Sequence, residues 1–453
     1  SRSAARTRAG RFEAAWALVS EMPMLMGSPP RRMLGAAAAG CQGGRLARRA
    51  KDVAVTIATR AFPWYLSGIA SWFSSYGMQT IVFPWLVTVV LHEPAARVGI
   101  AQMSLMAPSI VFMMLGGAVA DRTDVRRLLA RGHLIVALPP LMLAAAITQG
   151  WLSYGALIVY ALAVGTFGAF VVPARDAMLG RVAGADLGRA VAIMSATQFA
   201  AQLAGIAAGA AAGHVGAPAL LVLQAVILAG GGLAALRLPP APPSPHATAQ
   251  SRRAAMVDGL REAMASPVIA PVLIAQLGVG ILYVGAFLVV MPLLVRDVYA
   301  GGSAELSLVS FSFWGGTIAA TLAQIRIGAM RRPGRAILLA LTFGALVLAA
   351  MSLALPFRGL LGLCLAWGLG AGVVITQGRT LVQHAAPVSH RARILSLFQL
   401  GLMGGAPVGA LLIGYLAAFT GPRAAPVYPA ACMLLILAGL FARSQLWRQG
   451  APA

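Results

Sequence analysis

Shifted by 204 residues, the second half of this sequence falls on the first. Arg175 meets Arg379, Arg189 meets Arg393, Gly205 meets Gly409 and Pro218 meets Pro422. The same shift carries Arg122 onto Arg326, Arg127 onto Arg331 and Pro63 onto Pro267. One register therefore runs from the first apolar stretch to the last, and the chain reads as two copies of one unit in parallel. Parallel duplication of a membrane unit is an architecture of secondary transporters, which place a substrate site between the copies near mid-bilayer.

The membrane assignment comes from what the repeats are made of. Hydrophobic residues are 59% of the 453 and charged residues 10%, too few charges to cover the surface of a water-soluble domain. Crossing ~30 Å of hydrocarbon at 1.5 Å per residue takes ~20 mostly apolar residues. Twelve stretches meet that need, near 64–91, 98–120, 132–149, 151–174, 190–213, 217–236, 267–295, 304–328, 335–355, 359–380, 394–420 and 425–446. Their Leu, Ala and Gly content, without ~10-residue alternating segments, predicts helices rather than an outer-membrane barrel.

The formal charge of +23 has a placement that explains it. Of 35 Lys and Arg, 31 fall on one face of the predicted topology, and only Arg97, Arg296, Arg358 and Arg423 fall on the other. Positive residues collect on the cytoplasmic side. The bias predicts a bacterial-type inner (plasma) membrane protein with both termini in the cytoplasm, touching anionic lipid headgroups. Nucleic-acid binding needs a folded basic module, and none is visible. Cys41, Cys364 and Cys432 are too scattered for a disulfide framework.

The copies divide the chain into a basic N-terminal extension (1–61), largely disordered by composition, a first six-helix bundle (62–236), a cytoplasmic linker (237–266), a second bundle (267–447) and a short tail (448–453). Within the extension, Arg48–Arg60 has the pattern of a short amphipathic surface helix. The linker opens with Pro239-Pro240-Ala241-Pro242-Pro243-Ser244-Pro245, a stiff extended spacer, and ends in a short helix predicted over Met256–Ala265.

Between the second and third stretches lies Gly116-Gly117-Ala118-Val119-Ala120-Asp121-Arg122-Thr123-Asp124-Val125-Arg126-Arg127-Leu128. The glycines let two backbones approach at a helix end. Asp121 offers an acceptor, and Arg126 and Arg127 sit at headgroup depth. Here the chain resembles the major facilitator superfamily, whose loop signature is a Gly, an Asp-Arg four residues on and a basic pair. Asp124 stands where that signature usually has Gly, which is similar to the branch of macrolide-type drug exporters and siderophore exporters. Val172–Leu179 with Arg189, and the copy Thr376–Gln383 with Arg391, Arg393 and Gly404–Gly409, resemble the same branch. The resemblance covers residues 64–446. It implies an all-α membrane protein of twelve transmembrane helices in two pseudo-symmetric six-helix bundles, the major facilitator fold. It also implies a cytoplasmic gate of Gly117, Asp121, Arg122, Arg126, Arg127, Arg175 and Arg379, with Asp121 and Arg175 latching in the outward-open state.

Spans 1, 4, 7 and 10 line the cavity in that superfamily. Carried over, the substrate cavity falls to Tyr76, Gln79, Phe167, Phe170, Gln276, Tyr283 and Trp367. Gln79 and Tyr283 are repeat equivalents. Such a lining is apolar, with a few hydrogen-bonding points and no fixed charge, and suits an amphiphilic organic molecule. Trp314, in the eighth stretch, is assigned to packing. Superfamily antiporters usually carry a Gly-Pro motif in span five. Here Pro407 occurs in span eleven and its copy is Leu203.

Every acidic residue lies in a loop or at a span end, so protons, if they are the coupling ion, must use Asp121, Asp176, Asp297 or Glu93. The six histidines are read as scattered over different loops without ligand spacing, which gives no metal site and no membrane-embedded enzyme centre. Lys51 is the sole lysine, so no phosphate-cradling Gly-Lys loop exists and no nucleotide cofactor is expected. The function predicted is a secondary active transporter, acting as a monomer by alternating access on a small-molecule substrate. Efflux of a drug or siderophore-like compound is favoured over uptake of a small metabolite, with a non-transporting membrane protein as the remaining alternative.

Overall fold

The computed structural model describes residues 40–183, 186–242, 252–328, 330–387 and 390–447, without the side chains of 40–60, 113, 114, 118, 121, 252–257 and 392. The apolar stretches form helices α1 (Gly40–Trp85, extended by a π-helical turn Leu86–Val90), α2 (Ala95–Arg122), α3 (Val125–Thr148), α4 (Tyr154–Val182), α5 (Leu187–Ala210) and α6 (Ala217–Ala235). Their counterparts are α7 (Ile269–Asp297), α8 (Ser303–Ile327), α9 (Pro333–Ala350), α10 (Phe357–Ala385), α11 (Arg391–Thr420) and α12 (Val427–Arg443). Eleven of these are long and apolar enough to cross a membrane. α12 has 17 residues, about 26 Å of helix, and comes a turn short of a ~30 Å core.

Local chemistry sets the helix starts. Asp124 caps α3 by accepting from Arg127 N at 3.1 Å, Ser153 caps α4 through Ala156 N at 3.2 Å, and Asp186 caps α5 through Arg189 N at 2.9 Å. Gly216, just before α6, and Gly421, which ends α11, both adopt positive φ (+83° and +81°), a conformation a side chain would strain. Two boundaries differ from expectation. The surface helix expected over Arg48–Arg60 is instead part of α1, which runs unbroken from Gly40. The linker helix begins four residues early, at Arg252. Residues 1–39 and the end of the proline-rich spacer, 243–245, lie outside the described residues.

The duplication reappears as packing. In the first half α1 packs on α5 and α6, α2 on α4, and α3 on α6 and α4; in the second α7 packs on α11 and α12, α8 on α10, and α9 on α12 and α10. The tightest of these crossings are at glycines. A Cβ on Gly205 would strike the Ser74 carbonyl of α1, and a Cβ on its repeat mate Gly409 would strike the Ile281 carbonyl of α7. Gly116 lies against the Ala169 carbonyl, and Gly316 against Leu365. Bare backbone lets helices approach where lipid supplies no hydrophobic drive. Gly213, which the sequence groups with Gly205 and Gly209, sits past the end of α5 in the turn Ala212–Val215 and meets Ser303 instead.

The halves meet through α2 on α11 and α5 on α8, again a symmetric pair, with smaller contacts of α2 on α7 and α1 on α8. The start of the linker is not free. Ala241, fully buried, accepts from Val125 N at 3.0 Å and donates to Asp124 Oδ2 at 3.4 Å, while Arg181 Nη2 donates to the Pro242 carbonyl at 3.2 Å. Asp124, the departure from the usual Gly, thus caps α3 and holds the spacer on the first half.

Gly409→Leu is expected to drive α11 off α7. The variant should lose most of its monodisperse peak in detergent size-exclusion chromatography, whereas Gly439→Leu, with open space around it, should keep it.

Candidate functional site

The two ends of the helical assembly differ. At the end remote from the linker, the halves are bonded together. Arg296 of α7 donates from Nη1 to the carbonyls of Thr88 (3.2 Å) and Glu93 (2.7 Å) in the first half, and from Nη2 to Asp297 Oδ2 (2.8 Å). Glu93 is itself paired with Arg97 at 3.0 Å. Arg97 lies over the Tyr154 ring, whose hydroxyl donates to the Arg97 carbonyl at 2.9 Å. On the opposite seam Ser303 Oγ donates to the Ala210 carbonyl (3.0 Å) and accepts from Gly213 N (3.0 Å), and Ser307 Oγ donates to the Ile206 carbonyl at 3.2 Å. Gly99 and Gly414 press backbone to backbone between α2 and α11. These hydrogen bonds between the halves cluster at the remote end, so the assembly is closed there.

The expected gate residues lie at the linker end, and the structure brings only some of them together. Arg175 is half-buried. Its Nε donates to Asp176 Oδ1 at 3.3 Å, its guanidinium lies over the Phe73 ring of α1 at 5.2 Å, and its carbonyl accepts from the Tyr65 hydroxyl at 3.3 Å. Its repeat mate Arg379 is exposed and has no such partner among the described residues. Gly117 is half-buried in the last turns of α2, Arg122 and Arg127 are exposed, and Arg126 is half-buried with Nε unpaired. Asp121 ends α2, but its side chain lies outside the described residues.

The expected cavity residues divide in the same way. Tyr76 is 42% exposed, alone among neighbours of α1 that are buried or half-buried, and Phe167 is 36% exposed; Phe170 is half-buried. Gln79 and Gln276 are buried. Tyr283 and Trp367 sit edge to face at 5.7 Å, both within 3.5 Å of a Cβ on Gly344 of α9, and the Tyr283 hydroxyl donates to the Leu341 carbonyl at 2.6 Å. They belong to an aromatic cluster with Phe287 and Phe313 that packs the second half. Gln79 and Tyr283, repeat equivalents in sequence, therefore have different surroundings.

Trp314, assigned from the sequence to packing, extends this cluster to Phe199 of α5 at 6.3 Å across the seam, and its Nε1 is buried without a partner among the described residues. One residue escaped the sequence reading. His133 is not in a loop. It lies two turns into α3, 3% exposed, because α3 starts at Val125 rather than at 132. Reading Arg126, Arg127 and Arg131 as a loop concealed it. His384 likewise falls in the last turn of α10. Arg296 was visible as one of four basic residues on the sparse face, but its bonds to the other half were not.

The family model of the Major Facilitator Superfamily matches residues 65–388. Among solved structures, a variant of the nucleoside transporter NupG is similar at 16% identity, covering 84% of this chain and 99% of that one with a TM-score of 0.68. A POT family transporter in complex with 5-aminolevulinic acid is similar at 12%, covering 86% and 97%, with a TM-score of 0.63. At these identities the likeness is one of fold. No curated protein matches.

Arg296→Ala removes two charge-assisted bonds between the halves, each worth about 1.5–3 kcal/mol. The remote end should open more often, so a cysteine placed at Gly302 should react with a membrane-impermeant maleimide on the order of tenfold faster. An unchanged rate would show that Arg296 does not hold this end shut.

Proposed function

This chain belongs to the major facilitator superfamily and is a transporter rather than an enzyme, and we propose that it exports a hydrophobic or amphiphilic small molecule by alternating access. The observation that carries this reading is the pairing of one bonded end with an apolar, aromatic interior. The bonds around Arg296, Ser303 and Ser307 belong to a state closed at the remote end. The aromatic run from Phe199 through Trp314 to Phe313 carries no fixed charge at mid-depth. A site for an ionic metabolite would ordinarily need a counter-charge there.

The basic linker end is the cytoplasmic one, given 31 of 35 Lys and Arg on that face. The state is accordingly closed to the outside, as an exporter is when it loads. It works as a monomer in a bacterial-type plasma membrane. In the outward-open state Arg175 leaves Phe73 and meets Asp121 at the closing cytoplasmic end, with Arg379 performing the matching movement in the second half. Uptake is the second reading, since one fold neighbour is a nucleoside transporter and another is a POT family transporter in complex with 5-aminolevulinic acid.

A deletion strain should become more sensitive to one class in a panel of macrolides, cationic dyes and siderophores. Everted vesicles, and not right-side-out ones, should accumulate that compound; the reverse result would establish uptake. Asp121→Asn should abolish transport at unchanged expression, and full transport by that variant would remove the latch.

A further inference from the structure

Resting on the transporter reading, we propose that His133 is a proton-binding site in the first half, beside a crevice that it shares with Arg175, and that its charge acts on Arg175. The carboxylates at the span ends are poorly placed for this work. Glu93 is engaged by Arg97, Asp176 by Arg175 and Asp297 by Arg296. Among the described residues His133 is a buried ionisable group inside a span without such a partner, and ionisable groups at that depth are costly unless they serve function.

The geometry defines what the ring can do. Nδ1 lies 2.9 Å from the Leu129 carbonyl. A carbonyl only accepts, so Nδ1 carries the hydrogen and Nε2 presents its lone pair. Nε2 is buried and has no partner at full hydrogen-bond geometry among the described residues, with the Gly68 backbone beside the ring. A crevice with room for about one water runs past the ring, lined by Tyr65, Gly68, Leu129, Arg175 and Leu238 toward the linker end. The pocket around the ring is shaped by glycine: a Cβ on Gly231 would press on His133 Cδ2, and Trp72 stands edge-on to the imidazole at 5.6 Å.

Few charges face this ring. α6 has no ionisable residue within its span, but Arg237, just past its end, lies over the Trp64 ring that lines the crevice, 4.4 Å from its centroid. α1 contributes Tyr65, with Ser71 engaged to the Ile227 carbonyl. α4 contributes Arg175 with its partner Asp176. On α3 itself the charges are Arg126, Arg127 and Arg131 near its start, a turn or more away. A proton on Nε2 therefore places a cation opposite Arg175 in a medium of low dielectric, where like charges repel strongly. Arg175 is held only by one carboxylate and the face of Phe73. Protonation of His133 therefore weakens the seat of Arg175 on that shelf, and deprotonation restores it.

The test needs no substrate. The full chain, with Trp72 as its sole tryptophan, is placed in vesicles of phosphatidylethanolamine and phosphatidylglycerol. An imidazolium quenches a neighbouring indole, so Trp72 emission should fall sigmoidally as the pH drops from 8 to 5. His133→Gln and, as a second form, His133→Asn should each abolish that titration while remaining monodisperse. Arg175→Gln removes a repelling cation and should shift the midpoint upward by about half a pH unit or more. A titration that survives in both histidine variants, no titration in any form, or a midpoint indifferent to Arg175→Gln overturns the proposal. Loss of titration with dye efflux intact rejects His133 alone. Absent efflux with the titration intact rejects the export reading and leaves the proton site standing.

Discussion

Backbone approaching backbone at bare glycines is the interaction on which the rest depends. Lipid tails are as apolar as leucine, so burying side chains does not draw membrane helices together. What holds each half is close contact along α1–α5 and α7–α11, where Gly205 and Gly409 leave room for a carbonyl from the neighbouring helix. These crossings recur in both halves, and each half is therefore stiff. The seam between halves is different. Its hydrogen bonds, through Arg296, Ser303 and Ser307, gather at one end, beside the Gly99–Gly414 approach of α2 and α11. Two stiff bodies joined by few bonds can exchange one closed end for the other.

Duplication supplies the frame, and departures from it supply the asymmetry. Arg175 is dressed by Asp176, Phe73 and Tyr65, while Arg379 stands exposed. The first half carries a buried imidazole at the depth of Arg175. The second half spends the same region on packing, with Gln377 Nε2 donating to Gln324 Oε1 at 2.7 Å between α10 and α8. Asp124 adds a further asymmetry by fastening the spacer to the first half, so that relative motion must be absorbed beyond Pro242.

Much of the architecture was legible in the residues. Apolar length and the 204-residue register locate the helices and their pairing, because both follow from local composition and from repetition. The signature around Asp121 located one end of the site. The cavity was less legible: Tyr283 and Trp367 were chosen by depth, yet they turn toward α9, while Trp314, set aside as packing, reaches the seam. Depth along a helix can be counted from a sequence. The direction a side chain takes around that helix in a nearly all-apolar span cannot, since no polar face marks it. His133 was lost for a related reason, three arginines nearby having passed for a loop.

The sequence by itself determined that this is a duplicated, all-helical membrane protein of the transporter kind, with its basic residues gathered on one face. Hydropathy, length and charge bias are properties of segments and act whatever surrounds them. Only the tertiary structure decided which end is closed, which of two equivalent arginines is engaged, and which histidine is buried with an unpaired nitrogen. Those outcomes depend on helix rotation and on contacts between residues some 200 positions apart, as between Arg296 and Glu93, and no local pattern encodes them.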